Sequence, residues 1–244
     1  MSSSSLSSPI PNPTIIFANP QNDFWVINKP AQYLTHADGS GRPDLVSFLS
    51  QSSPSTEYPH TLYPIHRLDF GTSGLICFAS SSKGLKHWQT FWQNQQIEKR
   101  YLGLVSGFMR PKGIIKRALK DQRRKKSLEA ITRYKTIWRF EDCSLVEFRP
   151  QHGRKHQIRR HLQMIGRALS GEKRYRAKTK SKPVVSAPPR LWLHAHQITL
   201  DPTGSESLSP SFKSWTAPLA DELKTHLLAI GGAEIVERLE TSYS

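Results

Sequence analysis

Cysteine is scarce: only Cys77 and Cys143 stand among the 244 residues, each inside a strand-like apolar segment. That argues against a disulfide framework or a thiolate metal site and fits a reducing, cytoplasmic setting. Long apolar runs are missing too. The longest are strand-sized, such as Leu75-Ile76-Cys77-Phe78-Ala79, so no membrane partner is expected. No Walker loop, dinucleotide fingerprint or internal repeat occurs, and the histidines lack companion cysteines or paired carboxylates. Acidic residues are few, with 19 Asp and Glu against 35 Lys and Arg, for a formal net charge of +16. That surplus favours a polyanion, and nucleic acid is the usual one because neutralising phosphates releases condensed counterions.

The length suits one sizeable core. Residues 1–13, rich in Ser and Pro and without the basic start or apolar stretch of a signal peptide, are expected to be a disordered tail. One domain over 14–238 and a short polar tail at 239–244 are expected to follow. Alternation over Phe24-Trp25-Val26-Ile27-Asn28 predicts a strand ended by Lys29-Pro30, and Leu75–Ala79 predicts a buried one. Ser80-Ser81-Ser82 then offers a cap to a helix whose Leu85, Trp88, Phe91 and Trp92 share a face. Further strands are predicted at Tyr101–Val105, at Ala130–Phe140 and Cys143–Phe148 joined through Glu141-Asp142, and at Leu191–Leu200. Helices are predicted over Arg154–Ile165 and Pro218–Ala229, the second stopped by Gly231-Gly232. The mixture is α+β: a largely antiparallel mixed β-sheet flanked by helices.

The most informative segment is His66-Arg67-Leu68-Asp69-Phe70-Gly71-Thr72-Ser73-Gly74, a polar cluster just before the buried strand at Leu75. Taken alone, it fits an ordinary capped turn. As a whole it resembles the active-site motif of RluA-type RNA pseudouridine synthases, where His-Arg-Leu-Asp leads to Thr-Ser-Gly and the Asp is catalytic. Three more pieces agree in order: Val26-Ile27-Asn28-Lys29-Pro30-Ala31 with the first family motif, Lys99-Arg100-Tyr101 with its Lys-x-Tyr motif, and Gly153–Leu162 with its third. Leu193-His194-Ala195 resembles a later strand. Four ordered matches make coincidence improbable.

The resemblance implies the pseudouridine synthase catalytic fold, an RNA substrate (transfer RNA ranked ahead of ribosomal RNA), a monomer, and no cofactor or metal, since reactant and product are isomers. It implies that Asp69 acts on a flipped-out uridine as nucleophile or base at the sugar, that Arg159 keeps Asp69 charged and aimed, and that Tyr101 stacks on the uracil and helps remove its C5 proton. Arg67 would occupy the gap left by the flipped base or contact a phosphate.

Turned around a helix, Ile158, Leu162 and Ile165 form an apolar stripe and His156, Arg160, Gln163 and Arg167 a polar one. Arg159 lies on the border, where a guanidinium can reach a partly buried carboxylate. His156 and His161 diverge by about 140° and make a poor chelate. With His66, Arg154, Lys155, His156 and Arg160 assigned to RNA or base contact, the basic run holding Lys116, Arg123, Arg124, Lys125 and Lys126 is expected to be a loop or arm for phosphates. Lys173–Lys182 is a second such run. The sequence departs from the family pattern at Phe70, His152, Ala168 and Gly171-Glu172-Lys173-Arg174-Tyr175, where Gly-Asp usually leads to the Tyr. The rival reading is an RNA-binding protein of the same fold without catalysis.

Overall fold

The computed structural model describes residues 10–51, 61–121, 124–176, 187–200 and 213–241. In chain order the strands are β1 (Thr14–Asn19), β2 (Phe24–Lys29), β3 (Tyr63–Pro64), β4 (Ser73–Ala79), β5 (Ile97–Ser106), β6 (Lys112–Lys116), β7 (Leu119–Asp121), β8 (Lys126–Leu128), β9 (Ile131–Arg139), β10 (Cys143–Pro150), β11 (Leu193–Leu200) and β12 (Lys213–Thr216). The helices are α1 (Leu45–Gln51), α2 (Ser82–Gln93), α3 (Gln157–Met164), α4 (Asp221–Ala229) and α5 (Ala233–Thr241). Ten strands form one sheet in the order β1-β2-β4-β11-β5-β10-β9-β6, with β3 added to β4 and β12 to β11. Its pairings are antiparallel except β4 with β11. The expected α+β sheet flanked by helices is therefore what the chain forms.

Local chemistry accounts for the elements. Every residue of β4 is buried, as its unbroken apolar run requires of a strand covered on both faces. Ser81 caps α2 by accepting from the Gly84 N–H at 3.0 Å, while Trp88 and Phe91 enter the core beside Phe24. α3 lays Ile158 and Leu162 against Val146 and Phe148, and α4 with α5 closes over Trp192, Leu102 and Leu145. Gly74 is required where β4 meets β11: its φ is +107°, and a Cβ there would stand 2.2 Å from the Ala195 carbonyl oxygen. That close parallel contact lies directly after the loop carrying Asp69.

Several expectations need correction: β5 already begins at Ile97, four residues before Tyr101, and α4 begins at Asp221 rather than Pro218. α3 starts at Gln157 rather than Arg154, because His156 takes a left-handed φ of 54° and cannot be helical. Ile165 is 40% exposed, outside the apolar stripe, because the helix ends before it and Gly166 turns away at a φ of +71°. The basic run is no plain loop: Lys116 ends β6, while β7 and β8 pair antiparallel with Arg124 and Lys125 turning into β8, the arm of the two expected forms. A second C-terminal helix, α5, continues through Thr241, past the expected end at 238. The proposed N-terminal tail lies outside the described residues over 1–9, as do Arg123, the stretch 177–182 of the second basic run, and 242–244.

Candidate active site

The loop carrying Asp69 is pinned along its length by backbone hydrogen bonds. Thr35 Oγ1 accepts from the Leu68 N–H at 3.2 Å, the Gln32 N–H donates to the Phe70 carbonyl at 2.8 Å, and the Thr72 N–H donates to the Asp69 carbonyl at 3.0 Å. His66 Nε2 accepts from the Cys77 N–H at 3.0 Å and its ring stacks on Trp92 at 4.0 Å, so this imidazole anchors the loop to β4. Burial, with the Lys99 charge second, lowers its pKa to about 3, which keeps it neutral. Arg67, by contrast, is exposed.

With its backbone fixed, the Asp69 side chain is 22% exposed and meets two nitrogens: Arg159 Nη1 at 3.5 Å from Oδ2 and His156 Nε2 at 3.5 Å from Oδ1. Arg159 is held more tightly by Glu172, donating from Nε to Oε2 at 2.6 Å and from Nη2 to Oε1 at 2.8 Å. Glu172 Oε1 also accepts from the N–H groups of Arg174 at 2.8 Å and Tyr175 at 3.1 Å. Tyr175 completes a closed circuit, its hydroxyl lying 2.9 Å from His156 Nδ1 and its ring 5.2 Å from the Arg159 guanidinium carbon. Burial opposes the charge on both Arg159 and Glu172. Their mutual hydrogen bonds outweigh it, holding the Arg159 pKa above and the Glu172 pKa below the ordinary value, with Asp69 adding to the first and backbone N–H groups to the second. Arg159 thus sits on the α3 border as expected, but the carboxylate that grips it is Glu172.

Tyr101 projects from β5 between two core clusters. Burial, then the charge of Asp69, raises its hydroxyl pKa, so the proton stays on. Tyr101 and Arg67 line a cleft of about 190 Å³ together with His66, Trp92, Lys99 and His152. Lys29 is fully buried, donating to the carbonyls of Pro30 at 2.8 Å and Tyr33 at 2.9 Å. Burial, reinforced by Arg190 and resisted by Asp69, lowers its pKa to about 7.

The remaining candidates lie on α3, just before it, on β6 and at the β7/β8 ribbon. Arg154 donates to the Glu129 carbonyl at 3.1 Å, and Arg160 reaches the Lys120 carbonyl at 3.1 Å, tying α3 to the ribbon. Lys155, Lys116, Arg124, Lys125 and Lys126 are exposed. His161 is internal, bonded to Thr132 Oγ1 at 2.9 Å and to the Arg117 carbonyl at 3.0 Å. Sequence reasoning passed over Glu172 as a site residue, although it is the only acidic residue between Glu147 and Asp201. An isolated acid in so basic a stretch was the available signal. Tyr175, Lys29 and Lys99 were seen only as parts of motifs. Among the described residues no group of three or more His, Cys, Asp or Glu side chains could hold a metal ion, and no helix is long and apolar enough to cross a membrane.

The family profile described as RNA pseudouridylate synthase matches residues 23–164. The chain is 31% identical over 195 residues to tRNA pseudouridine synthase C of Pasteurella multocida, covering 70% of this chain and 79% of that one. It is 28% identical over 235 residues to ribosomal large subunit pseudouridine synthase D of Haemophilus ducreyi, covering 91% and 70%. Its fold resembles that of human RNA pseudouridylate synthase domain containing 4, with a TM-score of 0.69 at 19% identity over 89% of this chain and 92% of the other. With its four motifs gathered around one carboxylate, the chain belongs to the RNA pseudouridylate synthase family, of RluA type, whose members are isomerases.

Proposed function

We propose that this enzyme isomerises a uridine to pseudouridine within a structured RNA, and that Asp69 is the carboxylate that acts on the ribose of a flipped-out nucleotide. One observation carries the reading: a partly exposed Asp69 sits on a pinned loop, with Arg159 and His156 nitrogens 3.5 Å from its two oxygens and Tyr101 close enough for its hydroxyl to feel the charge. A carboxylate so placed can work as nucleophile or as base at the sugar. The reaction breaks the bond from the ribose to uracil N1, turns the base, and makes a bond from the ribose to C5, with the C5 proton lost and N1 gaining one. Tyr101 supplies a ring against the uracil. Because its own proton is held tightly, its hydroxyl relays the C5 proton only by passing one on.

Transfer RNA is put ahead of ribosomal RNA as the first substrate to test; relatives named for each are similar to this chain, at 31% and 28% identity. Phosphates are met by Lys155, Arg160, Lys116, Arg124, Lys125 and Lys126, while Arg67 enters the gap left by the base. Arg123 belongs to the same run but lies outside the described residues.

The test is single-turnover isomerisation with separately transcribed transfer and ribosomal RNAs, measured beside RNA binding, for the wild type and Asp69→Asn. The variant keeps the side chain's shape and loses its charge. It should lose essentially all turnover and still bind RNA. Substantial turnover in a correctly folded Asp69→Asn protein would remove Asp69 from the chemistry. Binding without conversion in the wild type would favour the non-catalytic reading.

A further inference from the structure

Lys99 is 7% exposed, yet among the described residues no hydrogen bond or ion pair engages its amine. Other buried or partly buried cations show how unusual that is. Lys29 satisfies its amine on two carbonyls, Arg159 is gripped by Glu172, and Arg190 donates to Glu222 at 2.7 Å. Lys99 has only the face of Trp92, whose ring centre lies 4.7 Å from Nζ. A π face steadies an ammonium without neutralising it, so the positive charge remains available. Burial of the side chain lowers the Lys99 pKa to about 8, which still leaves it mostly protonated near neutrality.

The amine borders the cleft of about 190 Å³ that it shares with Tyr101, two residues along the same strand. Strand alternation places both side chains on one side, which joins this cleft to the Asp69 site through Tyr101. Among the described residues, no acidic one lines it. His66 and His152, which do line it, are held below the ordinary histidine pKa, chiefly by burial, leaving Lys99 and Arg67 as its cations. Trp92 is already covered by the His66 ring at 4.0 Å, so its role is to support Lys99.

From this geometry we infer that the Lys99 cleft is an anion subsite that takes a backbone phosphodiester of the RNA strand next to the reacting uridine, with Lys99 as the ligand of the phosphate oxygen. The inference rests on the Asp69 site acting on RNA. It adds a charge contact that fixes the strand while the base is out of the stack. A phosphodiester fits better than a uracil oxygen, because a full negative charge compensates a buried ammonium and a neutral carbonyl does not.

The experiment compares two short oligouridylates of equal length, one with phosphodiester links and one with neutral methylphosphonate links. Their binding is measured for the Asp69→Asn protein, which cannot turn over, and for its Lys99→Met and Lys99→Gln derivatives. The Asp69→Asn parent should prefer the charged oligomer. Lys99→Met should bind that oligomer roughly tenfold to a hundredfold more weakly, with affinity for the neutral one unchanged. The slope of its log affinity against log salt should fall by about 0.7. Its melting temperature should be no lower than that of its parent, because the amine removed makes no hydrogen bond or ion pair to the described residues, and Lys99→Gln should behave alike. An equal loss for both oligomers would place the amine on the base or sugar. An unchanged preference would make Lys99 a structural cation. Either result overturns the inference and leaves Asp69 untouched, since the turnover of the single variants reads that assignment separately.

Discussion

Replacing Arg159 with Met removes a guanidinium from two carboxylates at once, and the two losses differ in kind. Glu172, with a side chain only 1% exposed, would keep two backbone N–H partners and lose both charge-assisted bonds, at 2.6 and 2.8 Å. Breaking a buried pair by removing one partner costs about 3–5 kcal/mol. In a domain of this size that lowers the melting temperature by roughly 6–20 °C. Asp69, more exposed and 3.5 Å from the same cation, would lose its aim and little stability. Arg159→Met should therefore both melt early and lose most turnover. Adding Glu172→Gln keeps an oxygen for the Arg174 and Tyr175 amides and removes the unpaired charge, so the double variant should recover much of the melting temperature and none of the turnover. Thermal melts and single-turnover isomerisation on all four proteins read the two effects apart. A single Arg159→Met variant that melts like the wild type would refute the view that Glu172 depends on it. The pH dependence gives a further check. The folded pKa of Glu172 lies below its ordinary 4.5, so the stability it contributes is fully present above that value and is lost as pH falls toward the folded one. Glu172→Gln should flatten the acid limb of the melting profile in that window.

Lys29 should act at the opposite end of the pH scale: its folded pKa of about 7 is below the ordinary 10.5, so the unfolded chain binds more protons between those values and stability rises with pH there. Melting temperatures of Lys29→Met across this window should lack the part of the rise that Lys29 supplies, and a rise as steep as in the wild type would show that Lys29 is not its source. Neutralising Arg124, Lys125 and Lys126 at the ribbon tip should lower the slope of log affinity against log salt by about 0.7–0.9 for each phosphate that the ribbon no longer neutralises, with turnover preserved at saturating RNA. An unchanged salt slope in that triple variant would make the ribbon charge a bystander.

The sequence by itself determined much of this protein. Unbroken apolar runs specified strands such as β4, turn residues at Glu141-Asp142 specified the β9/β10 hairpin, and helical spacing specified α2 and the core stripe of α3, because these signals are local and repeat with a fixed period. Four ordered motifs also carried the family. The sequence was silent on α5, which follows directly after Gly231-Gly232, and it pointed to Arg154 rather than Gln157 as the start of α3, since left-handed residues such as His156 leave no periodic trace. Tertiary structure alone decided the partners. Residues 69, 99, 101, 159 and 172 lie on separate loops, a strand and a helix, and no spacing announces that Glu172 rather than Asp69 would grip Arg159, or that Lys99 would be buried without an anion. Those outcomes depend on which charges share a dry volume, and that is fixed only when the sheet order brings β5 beside β11 and α3 over β10.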